Sequence, residues 1–286
     1  MPKERQIMKT IDATAQTVPN AYVEAGGVRY AYRKLGKPSR VPLVLLNRFR
    51  GTMDDWDPAL VNALAADRTV IYFDNAGVGL STGEAHDLIA GMANGAAAFI
   101  DALELEQVDL LGFSMGGLVA QQLTVERPGL VRNLVLAGTS GAGKEDEPTV
   151  AEAFQVAVKP VNTEEDFLYL FFEDSESSQA AGRQYWSRLQ ERQVDRSPLV
   201  KAASIQAQGS ALGSWKKNSV FERLKDIPQR VLVANGSRDL MAPTFNSFLL
   251  YKQIPNAQLI LYPDSGHGFL FQHADAFAEH VNLFLR

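Results

Sequence analysis

Gly112-Phe113-Ser114-Met115-Gly116-Gly117 stands between an apolar run, Val108-Asp109-Leu110-Leu111, and a run of good helix formers, Leu118-Val119-Ala120-Gln121-Gln122-Leu123, which stops at Pro128. A strand that turns at once into a helix brings its backbone so close to itself that only small residues fit beside the turn. Gly112 and Gly116 meet that need on either side of Ser114. A serine on such a turn is presented at the end of the strand. The helix that begins there directs its free N–H groups and the positive end of its dipole at the same place, where a developing oxyanion would be stabilised. The alternative is a glycine-rich strand–helix turn with an incidental serine. The two differ in whether a base and a carboxylate occur at the ends of other strands.

The rest of the chain supplies such strands. Tyr22-Val23-Glu24 and Val28-Arg29-Tyr30-Ala31-Tyr32 flank Gly26-Gly27 and predict a hairpin. Pro42 to Leu46, Thr69 to Phe73, Val108 to Leu111 and Val131 to Leu136 are short and mostly apolar, as strands buried on both faces are. The pattern returns at Arg230 to Ala234 and Gln258 to Tyr262. A final segment, Phe269 to Leu285, has apolar residues at helical spacing. Together these predict an α/β fold with a mostly parallel, twisted sheet of about eight strands and helices on both faces. Residues 144–221 carry little strand signal and many aromatics, among them Phe154, Phe167, Phe171, Phe172, Tyr185 and Trp186. They are expected to form an inserted helical cap over the carboxyl edge of the sheet, with 19–143 and 222–286 as the core. Residues 1–18 are expected to be disordered.

Composition limits the function classes. The 286 residues are 46% hydrophobic, enough for a substantial core, and the net charge of −5 is spread without a block of either sign. No nucleic-acid or membrane partner is expected, and a homo-oligomer is left open. The first residues lack the apolar centre of a signal peptide, which points to the cytoplasm. The absence of cysteine excludes disulfides, thiol nucleophiles and thiolate metal sites. No metal-binding or phosphate-loop motif occurs, so no metal or cofactor is expected.

A serine becomes a nucleophile when a base takes its proton and a third group orients that base. Of four histidines, His267 lies in Pro263-Asp264-Ser265-Gly266-His267-Gly268, directly after the last strand. His273 and His280 fall on the terminal helix, and His86 follows Ser81-Thr82-Gly83. His267 is the expected base, unless it is a loop histidine bonded to backbone. Asp239 ends Val233-Ala234-Asn235-Gly236-Ser237-Arg238-Asp239 and is the expected acid, unless it only caps the turn before Pro243. Asp264 is too near His267 in sequence to orient it comfortably.

In the order Ser114, Asp239, His267, and in its Asp74-Asn75-Ala76-Gly77-Val78-Gly79-Leu80-Ser81 turn, the chain resembles the α/β-hydrolase superfamily from about Tyr22 to its end. The resemblance implies a serine hydrolase acting on a small carboxylic ester or lactone through an acyl-enzyme. The same residues serve perhydrolase or haloperoxidase chemistry, amide hydrolysis or C–C bond hydrolysis in other members, and some proteins of this fold are small-molecule receptors. It also implies an oxyanion hole from the backbone N–H groups of Met115 and Phe49. Here the chain departs from the family, reading Asn47-Arg48-Phe49-Arg50-Gly51 where most members have His-Gly-x-x-Gly. Arg48 and Arg50 either bind an anionic substrate group or pair with Asp54, Asp55 or Asp57 as scaffold. Arg48, Phe171, Phe172 and Trp186 are the expected substrate-binding side chains.

Overall fold

The computed structural model describes residues 13–286. Strands β1 (Ala21–Ala25) and β2 (Val28–Gly36) form the expected hairpin. Gly26 and Gly27 make its turn at φ 57° and 80°, a conformation in which a Cβ would be strained. β3 (Leu43–Leu46), helix α1 (Pro58–Ala65), β4 (Thr69–Phe73), α2 (Ile89–Ala102), β5 (Val108–Phe113), α3 (Met115–Glu126) and β6 (Val131–Ala137) come next. Four helices then intervene, α4 (Ala151–Ala157), α5 (Glu164–Phe171), α6 (Glu176–Arg188) and α7 (Ala202–Asn218). The chain returns to the sheet through β7 (Arg230–Gly236), α8 (Thr244–Gln253) and β8 (Ala257–Tyr262). It ends in α9 (Phe269–Gln272) and α10 (Ala274–Phe284).

The eight strands form one sheet in the order β1-β2-β4-β3-β5-β6-β7-β8. β1, β2 and β4 pair antiparallel, and all other neighbours pair parallel. Every residue of β3, β4 and β5 is buried, because helices cover both faces there. Alternation along a strand divides the core in two. Leu43 and Leu45 join the cluster packed by α1 and α10, whereas Val44 and Leu46 join the one packed by α2, α3 and α8. No helix among the described residues is long and apolar enough to cross a membrane.

The N-terminal expectation needs correction. Residues 1–12 lie outside the described residues, but the chain is already packed over 13–18. Ala15 and Val18 are buried, and the Ala15 N–H donates to Asn62 Oδ1 at 2.8 Å. The Arg192 guanidinium donates to the carbonyls of Gln16 and Val18 at 3.2 and 2.9 Å. Polar composition disguised this segment, because its order comes from backbone groups meeting a distant arginine.

An ion pair ties the segment between β6 and β7 to the start of α1. Arg188 of α6 donates from Nε and Nη2 to the two oxygens of Asp57, at 2.8 and 2.6 Å. Asp57 is fully buried and also caps α1 by accepting from the Ala59 N–H. Arg188→Met should therefore cost about 3–5 kcal/mol, because it leaves a buried carboxylate unpaired. Urea unfolding at pH 7 measures this, and a loss below about 1 kcal/mol would show that the pair contributes little.

Candidate active site

Ser114 is the hinge between β5 and α3, held at φ 54° and ψ −120°. A non-glycine residue in this region carries strain of order 1–3 kcal/mol, which the surrounding packing must hold in place. The contacts are severe: a Cβ on Gly112 would lie 2.3 Å from the Gly116 carbonyl oxygen, and one on Gly116 would lie 2.0 Å from that of Leu46. Backbone bonds complete the hinge. Ser114 N–H donates to the Ala137 carbonyl at 2.9 Å, and its own carbonyl accepts from Gly117 N–H and Thr139 Oγ1 at 2.8 and 2.9 Å. The serine hydroxyl makes no capping bond to the helix.

His267 and Asp239 meet from the loops after β8 and β7. The imidazole Nδ1 donates to Asp239 Oδ2 at 2.7 Å, with the residues 2% and 5% exposed. The other carboxylate oxygen accepts from the N–H groups of Met241 and Ala242 at 2.7 and 2.8 Å. Asp239 thus bonds both its own turn and the histidine. A carboxylate that only accepts fixes the proton on Nδ1 and leaves the Nε2 lone pair free. The ring is wedged against Phe113 and Phe171, with centroids 4.8 and 5.3 Å away. His267 and Ser114 line the same small compartment.

The loop after β3 is rebuilt relative to the expected pattern. Asn47 is buried and bridges Trp56 Nε1 to the Phe73 carbonyl. Arg48 donates to Asp55 and, at 2.8 Å, to the Phe49 carbonyl, while its guanidinium lies over the rings of Phe167 and Phe171 at 5.2 and 5.4 Å. Among the described residues Arg50 pairs with no carboxylate. Its guanidinium instead donates to the carbonyls of Ala157, Lys159 and Pro160, closing the end of α4. Asp54 and Asp57 take Arg33 and Arg188 instead. The backbone N–H groups of Phe49 and Met115 donate to no acceptor among the described residues. Both residues line a compartment with Ser114.

Two compartments meet at Ser114. The smaller, of about 40 Å³, is lined by Arg48, Phe167, Leu170, Phe171 and His267 among others. The larger, of about 540 Å³, runs under α4 and α7 and is walled chiefly by Leu118, Phe154, Val158, Leu212, Trp215 and Met241. Phe172 and Trp186 line neither. Phe172 is buried against Tyr185, and Trp186 packs on Phe167 with centroids 5.0 Å apart. Phe167, Leu170 and Phe171 share one face of α5, whereas Phe172 follows its end in extended backbone and Trp186 sits on α6 behind Phe167. Met241 lines both compartments and carries no signal in the sequence beyond its place just after Asp239.

Asp74, in the turn after β4, is fully buried and has a structural place. It accepts from the N–H groups of Met53 and Leu80 and from Ser197 Oγ, at 2.7 to 2.8 Å. Burial pushes its carboxyl up to about 6, against the lowering effect of those bonds. With the folded value raised, the native state holds the extra proton between about pH 4 and 6. Asp74 therefore favours folding more as pH falls through that window, by up to about 1.4 kcal/mol per unit. Wild type should gain stability relative to Asp74→Asn in urea melts at pH 5 compared with pH 7. A difference independent of pH would contradict this.

The alpha/beta hydrolase fold family model matches residues 41–274. The chain belongs to this family. It is 30% identical over 265 residues to a poly(3-hydroxyalkanoate) depolymerase of Ectopseudomonas oleovorans, covering 91% of this chain and 89% of the relative. It is also 30% identical over 224 residues to a 2-hydroxy-6-oxo-6-phenylhexa-2,4-dienoate hydrolase of Burkholderia cepacia, covering 75% and 76%. Among solved structures, an alpha/beta hydrolase fold protein from Chitinophaga pinensis superposes with a TM-score of 0.87 at 38% identity, covering 96% of this chain and 99% of that one. The chain is a hydrolase with an eight-stranded, mostly parallel sheet.

Proposed function

We propose that this hydrolase cleaves a neutral carboxylic ester or lactone through an acyl-enzyme on Ser114. The observation that carries the reading is the His267–Asp239 bond, buried beside the same compartment as Ser114. Ser114 Oγ attacks the carbonyl carbon and gives its proton to His267 Nε2. Asp239 steadies the imidazolium, and the Phe49 and Met115 N–H groups take the oxyanion. His267 then protonates the departing alkoxide. In the second half it accepts a proton from water as that water attacks the acyl carbon, and Ser114 is restored.

The neutrality of the substrate is argued from the arginines. Arg48 and Arg50 line the smaller compartment with Ser114 and His267, and their outer nitrogens donate to Asp55 and to main-chain carbonyls. A substrate carboxylate would find only Arg48 Nε without a partner among the described residues and would otherwise compete with those bonds. The relative named for a poly(3-hydroxyalkanoate) substrate acts on an ester, in keeping with this reading. The dienoate named for the other relative carries a carboxylate, which the committed arginines disfavour. The smaller compartment, at about 40 Å³, is far smaller than the larger one of about 540 Å³, so the longer arm of the ester lies in the larger one.

The test is a panel of p-nitrophenyl esters of increasing chain length, each paired with a half-ester ending in a carboxylate, together with a hydroxy-oxo-dienoate. Neutral esters should be turned over at least about 10-fold better than their charged partners, because an unpaired charge is costly to desolvate. Turnover of the dienoate with none on any ester would replace the reading with C–C bond hydrolysis.

A further inference from the structure

Helix α7 runs along the larger compartment with two glycines that nothing inside the protein explains. Gly209 and Gly213 sit within the helix rather than at its end, although glycine is among the poorest helix formers. Neither has a positive φ, and a Cβ on either would meet no atom within 4 Å. Neither backbone conformation nor a packed neighbour therefore calls for glycine. Both residues are exposed, and both line the compartment. With Leu212 and Lys216, which line it too, they have the i, i+3, i+4, i+7 spacing of one helical face. Ser204 and Ala211 are buried on a different side of the helix. The rim is completed by α4, whose Phe154 and Val158 line the compartment and are still 50% and 39% exposed. α4 packs chiefly on α5, and α7 chiefly on α2. Arg50 bridges the two at one end. Its backbone N–H donates to Gln208 Oε1 on α7 at 2.8 Å, and its guanidinium donates to the carbonyls at the end of α4. The compartment that begins at Ser114 thus reaches solvent between α4 and α7.

We propose that Gly209 and Gly213 hold this opening wide enough for an ester whose acyl arm outgrows the compartment and emerges into solvent. The inference rests on Ser114 being the reaction centre, which puts the longer arm in this compartment. A closed pocket sets an upper limit on arm length, because each further methylene must be packed or excluded. An open one sets none, since whatever passes the mouth meets water. Phe154, Val158 and Leu212 make the mouth apolar, which suits a hydrocarbon arm. The substrate class is a neutral long-chain ester, whatever group its arm ends in. Leucine at either glycine would project from the lining face of α7 into the opening. Leucine is also the better helix former, so its presence there should not unfold the helix.

Binding and turnover separate this inference from the proposed reaction. Calorimetry on the Ser114→Ala protein compares methyl butanoate, methyl dodecanoate and a methyl dodecanoate whose last carbon carries a tetraethylene glycol cap. The capped and plain dodecanoates should bind within about 3-fold of each other, the scale of a change that meets only water. Both should bind more tightly than the butanoate, because they bury more apolar surface. Gly209→Leu or Gly213→Leu, added to Ser114→Ala, should weaken both dodecanoates by about 10-fold or more, the scale on which an overfilled pocket discriminates. Neither should change butanoate binding by more than about 3-fold. Ser210→Leu is the control, since Ser210 is exposed on α7 and does not line the compartment. It should alter none of the three. Circular dichroism checks each fold, and if neither glycine variant folds, the capped and plain arms decide alone. A cap that weakens binding by more than about 10-fold would overturn the inference. So would no binding of either dodecanoate, folded glycine variants that bind them unchanged, or an equal loss in Ser210→Leu. Acid released by the wild-type enzyme, measured by mass spectrometry, tests the reaction itself. Binding of the capped ester with no ester cleaved would uphold the open mouth and refute the ester-hydrolase reading. Cleavage of the butanoate with the capped ester excluded would do the reverse.

Discussion

Ser114→Ala should lower kcat/KM on any ester the wild-type enzyme turns over by about 10⁴-fold or more, because a nucleophile, its base and its acid act as a unit. The fold should not change. Every bond that Ser114 makes in the hinge comes from its backbone: its N–H to Ala137, and its carbonyl to Gly117 and Thr139. Alanine keeps all of them and adopts the positive φ no less readily than serine. Melting temperature and near-ultraviolet circular dichroism should therefore match wild type. A variant that folds and retains more than about a tenth of the activity would place the nucleophile elsewhere.

Asp239→Asn should cost about as much, on the order of 10⁴-fold in kcat, through a different route. The amide oxygen can still accept from Met241 and Ala242, so the turn is held. The amide NH₂ then faces His267 Nδ1, which must give up its proton and accept. The proton moves to Nε2, the nitrogen needed as the base. Asp264→Asn is the control, since Asp264 is exposed and accepts from Ser177 on α6 rather than from the histidine. It should change kcat less than about 3-fold, the scale of a surface substitution. Comparable losses in the two variants would remove Asp239 from its proposed role.

Much of this arrangement was legible in the residues. The strands were legible because burial on both faces makes them continuous apolar runs. The exceptions lie toward the sheet edges: β8 is only partly buried, and β1 and β2 announced themselves through the paired glycines of a hairpin turn. Ser114, Asp239 and His267 were legible because each comes directly after a strand, and parallel strands deliver the residues at their carboxyl ends to one edge of the sheet. The loop from Asn47 to Gly51 was not. Its arginines could be read as anion ligands or as scaffold, and only the fold reveals that Arg48 meets Asp55 while Arg50 reaches across to carbonyls of the α4 end. Aromatic content drew attention to Phe171, Phe172 and Trp186 alike. The spacing of Phe167, Leu170 and Phe171 would have singled out the face that turns to the compartment.

The most direct test of the account is to expose the protein to an alkyl fluorophosphonate, then weigh the intact chain and sequence its peptides. The expected result is one adduct per chain, on the peptide containing Ser114. Labelling should keep pace with the loss of esterase activity and should be absent from Ser114→Ala. An adduct on another residue, or full ester turnover by a protein that Ser114 labelling has saturated, would contradict it.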